Sequence, residues 1–584
     1  MYPFGDDELW RLYMAYSELH DGSTSKRRVS FLSDVAMRCT VKAPSKELLQ
    51  QEQEERLLLT QVVERKILPP EFGNTLEQRV FSLKVQDAYN YENGESDGCS
   101  NSNRPPTDDD DDEYTRMARL EKFFDGAARV GRKGSRMSLG VIFECCRIKD
   151  EQKEQSPQPQ QEYNPMSYNQ QQSRPQQQAY AKDIIILAYR LALAAAFFES
   201  ARSEHEDMGR FVPQPELELD KDEYLEAMIF SLLQSARLRK IRDSPYGTIE
   251  TWEEDALTQG LITQMDLFEW SETMAPLLPL SLSTMMHHVF FPDVSYPPSR
   301  TILQYPTYNQ ESVYVQHTTS PLLFVFASLS KSLGGTWHRL YTSASDGMSF
   351  NRLQNALLGY GGPTLILIQA VTTTSKKKKS IFGAYTSSAW KESKEFYGTS
   401  DCFLFQLLPE LHVYRPKNAS HNTNFMYCNS EARSRGYDQQ AHGIGFGGSV
   451  HQPRLFLEES LDHCYAGSGD LTFDHGPLFV DASSDDADGL SSTTNKCHFE
   501  LDQLEVWGVG GEDVVREALG DRQKARAIQD ANLQKARKVD KAAFLDDFRS
   551  GLIESKAFKH RGEMRGRADA CIDDDHKNSY VYEK

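Results

Sequence analysis

The chain has 584 residues, too many for one core, and about three or four folding units are expected. Its net charge of −20 excludes general nucleic-acid binding, which needs clustered Lys and Arg, and a hydrophobic fraction of 39% with a mean hydropathy of −0.59 says that part of the chain joins no core. Nine cysteines, none in a Cys-x-x-Cys pair, exclude a disulfide scaffold and a zinc module and point to a reducing, cytoplasmic compartment.

The first ten residues, "MYPFGDDELW", carry neither a basic n-region nor an apolar run, and Tyr2 stands where N-myristoylation requires glycine. No secretory signal and no acyl anchor are expected there. Next, "DDELWRLYMAYSEL" places Leu9, Leu12, Tyr13 and Tyr16 on one helical face, and the loop "HDGSTSKRR" leads to a second amphipathic segment, "VSFLSDVAMRC". The same plan recurs in residues 117–146 and 255–291. Each second helix opens on an apolar residue followed by Ser or Thr: "VS", "MS" or "IT". This is the outline of an EF-hand without its ligands. Lys26, Arg27 and Arg28 in one loop, and Arg129, Arg132 and Lys133 in another, stand where calcium needs carboxylates, so a helical scaffold is expected and no metal site is assigned.

Between these helices, residues 99–113 hold two prolines and an acidic run and read as a solvated linker. Residues 151–181 are rich in Gln and Pro and read as a disordered insertion. The longest apolar run, Ile184 to Phe198, is broken by Arg190 and is shorter than the roughly 20 residues that cross a bilayer, so it predicts a buried helix.

After residue 300 the pattern changes. Ser320 and Pro321 open a helix, "LLFVFASLSKSL", that Gly334 and Gly335 end, and Ser349 caps "FNRLQNALL", which Gly359 stops. Around them lie strand-length segments bounded by turn residues: "WHRLY", "TLILIQAV", "IFGAYT", "CFLFQL", "LHVYRP", "NFMYCN", "PRLFLE", "LTFD" and "HFELDQLEVWGV". The hexapeptide "GIGFGG", residues 443–448, spells a dinucleotide-binding turn. Its context is wrong: a polar stretch precedes it, and Pro453 with the strand-like "RLFLE" follows it where a helix is required.

From Trp337 to Gly508 the segments "WHRLYTSASDGMSFNRLQNALLGYGGPTLILI", "IFGAYTSSAW", "FYGTSDCFLFQLLPELHVY", "NFMYCN", "GIGFGG" and "LEVWGVG" occur in the order and spacing of the TLDc domain family, which the chain resembles. The resemblance implies a sandwich of two antiparallel sheets with a few short helices, in proteins linked to oxidation resistance and to regulation of the vacuolar proton pump. It makes "GIGFGG" the family's glycine turn ahead of the strand "RLFLE". Helices before the domain and a charged segment after it resemble the lysosomal TOR-associated subgroup, with its degenerate EF-hand-like helices. Three departures are visible: the missing myristoylation glycine, Arg454, Leu455 and Phe456 in place of the usual Gly-Leu-Trp, and a hairpin loop lengthened by "TTTSKKKKS".

The expected fold is therefore α+β and multidomain. An EF-hand-like helical region covers 1–98, an acidic linker 99–113, a helical segment 114–150, the Gln/Pro insertion 151–181, more EF-hand-like helices 182–300, the TLDc sandwich 320–511 and a helical tail 512–584.

Catalytic signatures are missing. His412, His421, His442, His451, His463 and His475 form no His-Glu-x-x-His pattern, no Gly-x-Ser-x-Gly marks a nucleophile, and no cofactor or small-molecule substrate is expected. A non-catalytic regulator or adaptor is the first reading, with the vacuolar proton pump or a TOR-signalling complex as the partner that the resemblance implies, on the lysosomal or vacuolar surface. The alternative is a redox-protective enzyme or thiol sensor acting through Cys402 or Cys428. Trp507 reads as core, and Glu505 beside it reads either as a buried acid partner or as an exposed contact. Lys376, Lys377, Lys378 and Lys379 are the candidate membrane-proximal cluster, each lysine near an anionic surface contributing about 1 kcal/mol. Phe544, Phe548 and Leu552, four residues apart in the helix-favouring tail, are the candidate partner-binding stripe, docking either on a partner or back on the chain's own sandwich.

Overall fold

The computed structural model describes residues 67–69, 72–76, 80, 126–130, 135–148, 177–202, 219–244, 247–290, 302–308, 310–371, 379–417, 423–429, 442–449, 451–479 and 496–549. They fall into two compact units, Met1–Leu358 with Gly362–Arg516, and Gly359–Gly361 with Glu517–Lys584. The helix proposed at the very start of the chain and the acidic linker lie outside the described residues.

In the first unit a helical layer precedes the sheets. Helices α1 (Ser135–Cys146), α2 (Ala181–Arg202), α3 (Glu223–Asp243), α4 (Thr251–Thr258), α5 (Gln264–Met274) and α6 (Leu280–Phe290) are joined by two short strands, β1 (Gln178–Tyr180) and β2 (Leu261–Thr263). Apolar side chains on every face of α2 are buried, including almost the whole run from Ile184 to Phe198, as expected of a helix inside a core. Among the described residues no helix is long and apolar enough to cross a membrane.

The EF-hand outline survives in the pairing of the two strands. Gln178 pairs with Thr263, Ala179 with Ile262 and Tyr180 with Leu261, each strand leading directly into a helix. Gln178–Tyr180 and Ala181 therefore lie in regular structure, although composition placed them in the Gln/Pro insertion; the ladder to β2 and the burial of Ala179 override the local sequence. Thr263 of the "IT" pair does cap α5, in a capping box with Asp266. The "MS" pair does not open its helix, because α1 starts at Ser135 and Met137 and Ser138 are already inside it. Asp266 is fully buried and also accepts from Arg239 of α3, at 2.7 Å to Nε, so one carboxylate both caps α5 and ties it to α3.

The sheet region begins with β3 (Thr307–Tyr308), helix α7 (Pro321–Leu329), β4 (Thr336–Thr342), and helices α8 (Ser343–Asp346) and α9 (Phe350–Leu357). Ser320 and Ser349 stand at the starts of α7 and α9, yet neither side chain makes a capping hydrogen bond; Pro321 at the start of α7 supplies the fixed φ instead. The remaining strands are β5 (Thr364–Val371), β6 (Lys379–Thr386), β7 (Ser393–Tyr397), β8 (Phe403–Leu408), β9 (His412–Tyr414), β10 (Met426–Asn429), β11 (Gly443–Phe446), β12 (Leu455–Glu458), β13 (Cys464–Gly467) and β14 (Lys496–Gly508).

These strands form one continuous 12-stranded ladder in the order β7-β10-β11-β12-β13-β14-β5-β6-β8-β9, with β4 on β14 and β3 on β4. The two expected sheets are joined through β14. Its first residues pair with β13 and its last with β5 and β4, all antiparallel. Ile366, Ile368, Phe382 and Leu404 from one side of this junction share a buried core with Met426, Cys428, Ile444, Leu455 and Leu457 from the other. On the opposite face of the first group, Leu365, Leu367, Phe403 and Phe405 join the core of the helical layer, where Phe326 of α7 contacts the rings of Trp337 and Phe405 at 5.3 and 5.5 Å. The first unit thus stacks helices, sheet and sheet, with all nine residues of α7 buried in between.

Two expected elements differ. "GIGF" is strand β11 and only Gly447 and Gly448 make the turn, while "LTFD" is not a strand, its Phe473 forming a single bridge to Pro416. The glycines of β11 have a packing reason. Gly445 lies between Tyr427 and Phe456 in register, and a side chain on it would occupy the Tyr427 ring. Across the outer face the row continues from Phe456 to Tyr465, with ring centroids 5.3 Å apart.

The second unit contains most of helix α10 (Glu512–Arg549), a 38-residue helix dense in Ala, Lys, Arg and Gln.

Candidate functional site: a polar cleft beside the glycine turn

Gly447 and Gly448 have φ of +66° and +71°, a conformation that only glycine adopts without strain, and the turn delivers the Gly448 N–H to Asp470 at 2.8 Å. A side chain on Gly447 would collide with the same carboxylate. The other oxygen of Asp470 accepts from Phe473 N–H at 3.0 Å and from Arg454 Nη1 at 3.2 Å. Arg454 has no exposed side-chain surface; it also donates to the carbonyls of Asp474 and Gly476 and lies 4.5 Å over the Tyr414 ring. Burial lowers its pKa and the Asp470 carboxylate opposes that shift. The pair is a buried hub that fixes the loop from Ser468 to Phe479 against β9 and β12.

Next to this hub opens a cleft of about 550 Å³, lined among others by Ser332, Tyr385, Asp401, Cys402, Arg415, Lys417 and Asp474. Arg415 and Lys417 follow β9, Asp401 and Cys402 precede β8, and Asp474 belongs to the loop held by Arg454. Arg415 reaches under the cleft to the helical layer, donating to the carbonyls of Thr273 at 3.4 Å and Leu329 at 3.1 Å, with its guanidinium 5.3 Å from the Phe403 ring. Burial lowers the Arg415 pKa, countered by Asp474. Lys417 donates to the Asp470 carbonyl at 2.7 Å and lies 3.2 Å from His475 Nε2.

Glu505 is a buried acid partner. Its carboxylate accepts from Val313 N–H and the Ser312 hydroxyl at 2.8 Å, and from Trp507 Nε1 at 3.0 Å, fastening the segment before α7 to β14. Trp507 is core, as expected. Cys402 and Cys428 are buried, and desolvation pushes both thiols up to about 12, which leaves almost no thiolate at neutral pH. Among the described residues no group of three His, Cys, Asp or Glu could hold a metal ion.

Of the candidates read from the sequence, Cys402 lines the cleft and Lys379 does not. Lys379 is the first residue of β6 and pairs with Glu223 of α3 at 2.9 Å, both half-exposed, a contact that contributes little. Lys376, Lys377, Lys378 and Leu552 lie outside the described residues, and so do the side chains of Phe544 and Phe548, whose backbone is in α10. Apart from Cys402, the cleft residues escape sequence reasoning because they come from separate loops and share no motif. One signal pointed near them: Arg454, an arginine at the entry to β12 where the family resemblance expects glycine.

The family model for the TLDc domain matches residues 316–510, the span from the Glu505-bound segment to the end of β14. Residues 316–510 are a TLDc domain. The helical layer up to α6 and the whole of α10 lie outside it. The chain is 28% identical over 213 residues to MTOR-associated protein MEAK7 of Danio rerio, covering 36% of this chain and 41% of that protein. It is 25% identical over 201 residues to the Homo sapiens protein of the same name, covering 34% and 38%. Oxidation resistance protein 1 of Xenopus tropicalis is 34% identical over 133 residues, 23% of this chain and 13% of that protein. The similarity thus reaches about two fifths of the length of these MEAK7 proteins.

Proposed function

We propose that this chain is a non-catalytic regulator or adaptor that joins a protein complex at the lysosomal or vacuolar surface and supports resistance to oxidative stress. The partner is a TOR-signalling complex or the vacuolar proton pump. The observation that carries this reading is the TLDc domain followed, three residues after β14, by α10, whose side chains from Gln523 to Lys535 are exposed. At 1.5 Å per residue such a helix is roughly 57 Å long, and a long polar helix gains lasting order from a partner's groove. The name of the MEAK7 relatives, MTOR-associated, favours the TOR complex; the pump rests on the family resemblance alone. Phe544, Phe548 and Leu552 are the contacts proposed for the tail, and Lys376–Lys379 for the membrane surface. The seven-part domain division stands as part of this proposal, with its insertion ending before β1.

The test is affinity capture from lysosome-enriched lysate with the full chain and with a chain ending at residue 511. Recovery of TOR-complex or proton-pump subunits with the first and not the second supports the reading. Equal recovery with both, or recovery of neither complex, rejects it.

A further inference from the structure

The cleft beside the glycine turn has a charge pattern that partner docking through the tail does not use. Its two cations are anchored in the wall. Arg415 spends Nε and one Nη on the carbonyls of Thr273 and Leu329, and its other Nη makes no hydrogen bond among the described residues. Lys417 is held by the Asp470 carbonyl. Its two anions, Asp401 and Asp474, are exposed, and neither carboxylate accepts a hydrogen bond among the described residues. Arg415 and Asp474 are neighbours joined through the backbone, Asp474 N–H to the Arg415 carbonyl at 2.9 Å, yet their charged groups form no ion pair. Opposite charges with open valences therefore face one space without neutralising each other.

That arrangement selects a ligand by its charge pattern. A simple anion would meet Asp401 and Asp474, a simple cation would meet Arg415 and Lys417, and an uncharged molecule would leave all four unmet while displacing their water. Only a molecule carrying both charges satisfies both pairs. The volume of about 550 Å³ lies within the range of small-molecule sites, and the serine and tyrosine hydroxyls on the walls supply further hydrogen bonds. The Arg454–Asp470 hub and the two carbonyl contacts of Arg415 hold the positive side in place before any ligand arrives, which lowers the ordering cost of binding.

We propose that this cleft binds a small zwitterion of amino-acid to short-peptide size, with its carboxylate on Arg415 and Lys417 and its ammonium on Asp401 and Asp474. This site is built from residues remote in sequence from the tail and does not rest on the identity of the partner complex.

The experiment uses the full chain and four probes in calorimetric titration: triglycine, N-acetyltriglycine, triglycine amide and N-acetyltriglycine amide. Triglycine is expected to bind at least about tenfold more tightly than either singly blocked peptide, since each loses a charge-assisted contact, and the doubly blocked peptide is expected to bind least. In the variant Asp401→Asn with Asp474→Asn, triglycine and N-acetyltriglycine should bind alike, while both still exceed the amides. The two carboxylates hold no hydrogen bonds among the described residues, so this variant should keep the parent melting temperature, and the retained preference for a free carboxylate reports an intact site. Equal binding of free and doubly blocked peptide overturns the proposal, as does retention of the ammonium preference in the Asn variant. Absence of binding by every probe at about 10 mM overturns it as well, because even a weak specific contact saturates there.

Discussion

Glu505 serves four donors, the Ser312 and Thr342 hydroxyls, Val313 N–H and Trp507 Nε1, from a position that is 1% exposed, so its removal strands the Val313 and Trp507 N–H groups away from water. Glu505→Ala should lower stability by about 3 kcal/mol in urea unfolding, and Glu505→Gln by less, because the amide oxygen still accepts. Arg454→Met should cost about 3–5 kcal/mol, leaving the Asp470 carboxylate buried without its counter-charge. A third effect belongs to the thiols of Cys402, Cys428 and Cys464, which burial raises from an ordinary value near 9 to about 12. Between these values the unfolded chain has released protons that the folded chain retains, so stability contributed by the protonated thiols is lost as pH rises from about 9 towards 12. Chemical unfolding at pH 8 and pH 10.5 should show that fall, and replacing the three cysteines by alanine should flatten it. The sequence left Glu505 undecided because two of its donors, Ser312 and Val313, lie almost 200 positions upstream, in a segment with no strand pattern of its own.

At the level of elements, the long apolar strands were legible: β5, β6, β8 and β14 have enough branched and aromatic side chains to declare themselves. β11 and β13 were not. "GIGF" and "CYAG" have little intrinsic strand preference; Tyr427 and Phe456 lie across Gly445 of the first, and Phe456 lies across Tyr465 of the second, a condition visible only once register is known. β1 was hidden for a related reason, since its partner is 83 residues away. Deleting residues 151–176 should leave the melting temperature nearly unchanged, whereas extending the deletion through Tyr180 removes the ladder to β2 and should cost about 2 kcal/mol, read by differential scanning calorimetry. For the tail, Phe544→Ala with Phe548→Ala should weaken capture of the partner complex by about 2 kcal/mol or more without changing the melting temperature. A fall in melting temperature with unchanged capture would place the stripe against the chain's own fold instead.

On the scale of the whole first unit, the TLDc domain shares its core with the helices before it. α7 lies inside the matched region, yet Ser328 accepts from Leu277 N–H, and the Thr319 carbonyl accepts from Tyr189 of α2. Residues 316–510 made alone would expose α7, and should lack the near-ultraviolet dichroism and cooperative melting that the chain from 177 to 516 retains. β14 gives this shared architecture a mechanical consequence. It is hydrogen-bonded to β13, β5 and β4 along its own length, and three residues separate its end from the tail helix. A pull on the tail along that strand loads all three ladders in shear, so their bonds must fail together instead of unzipping in turn, and the strand that joins the two sheets is also the one built to carry tension.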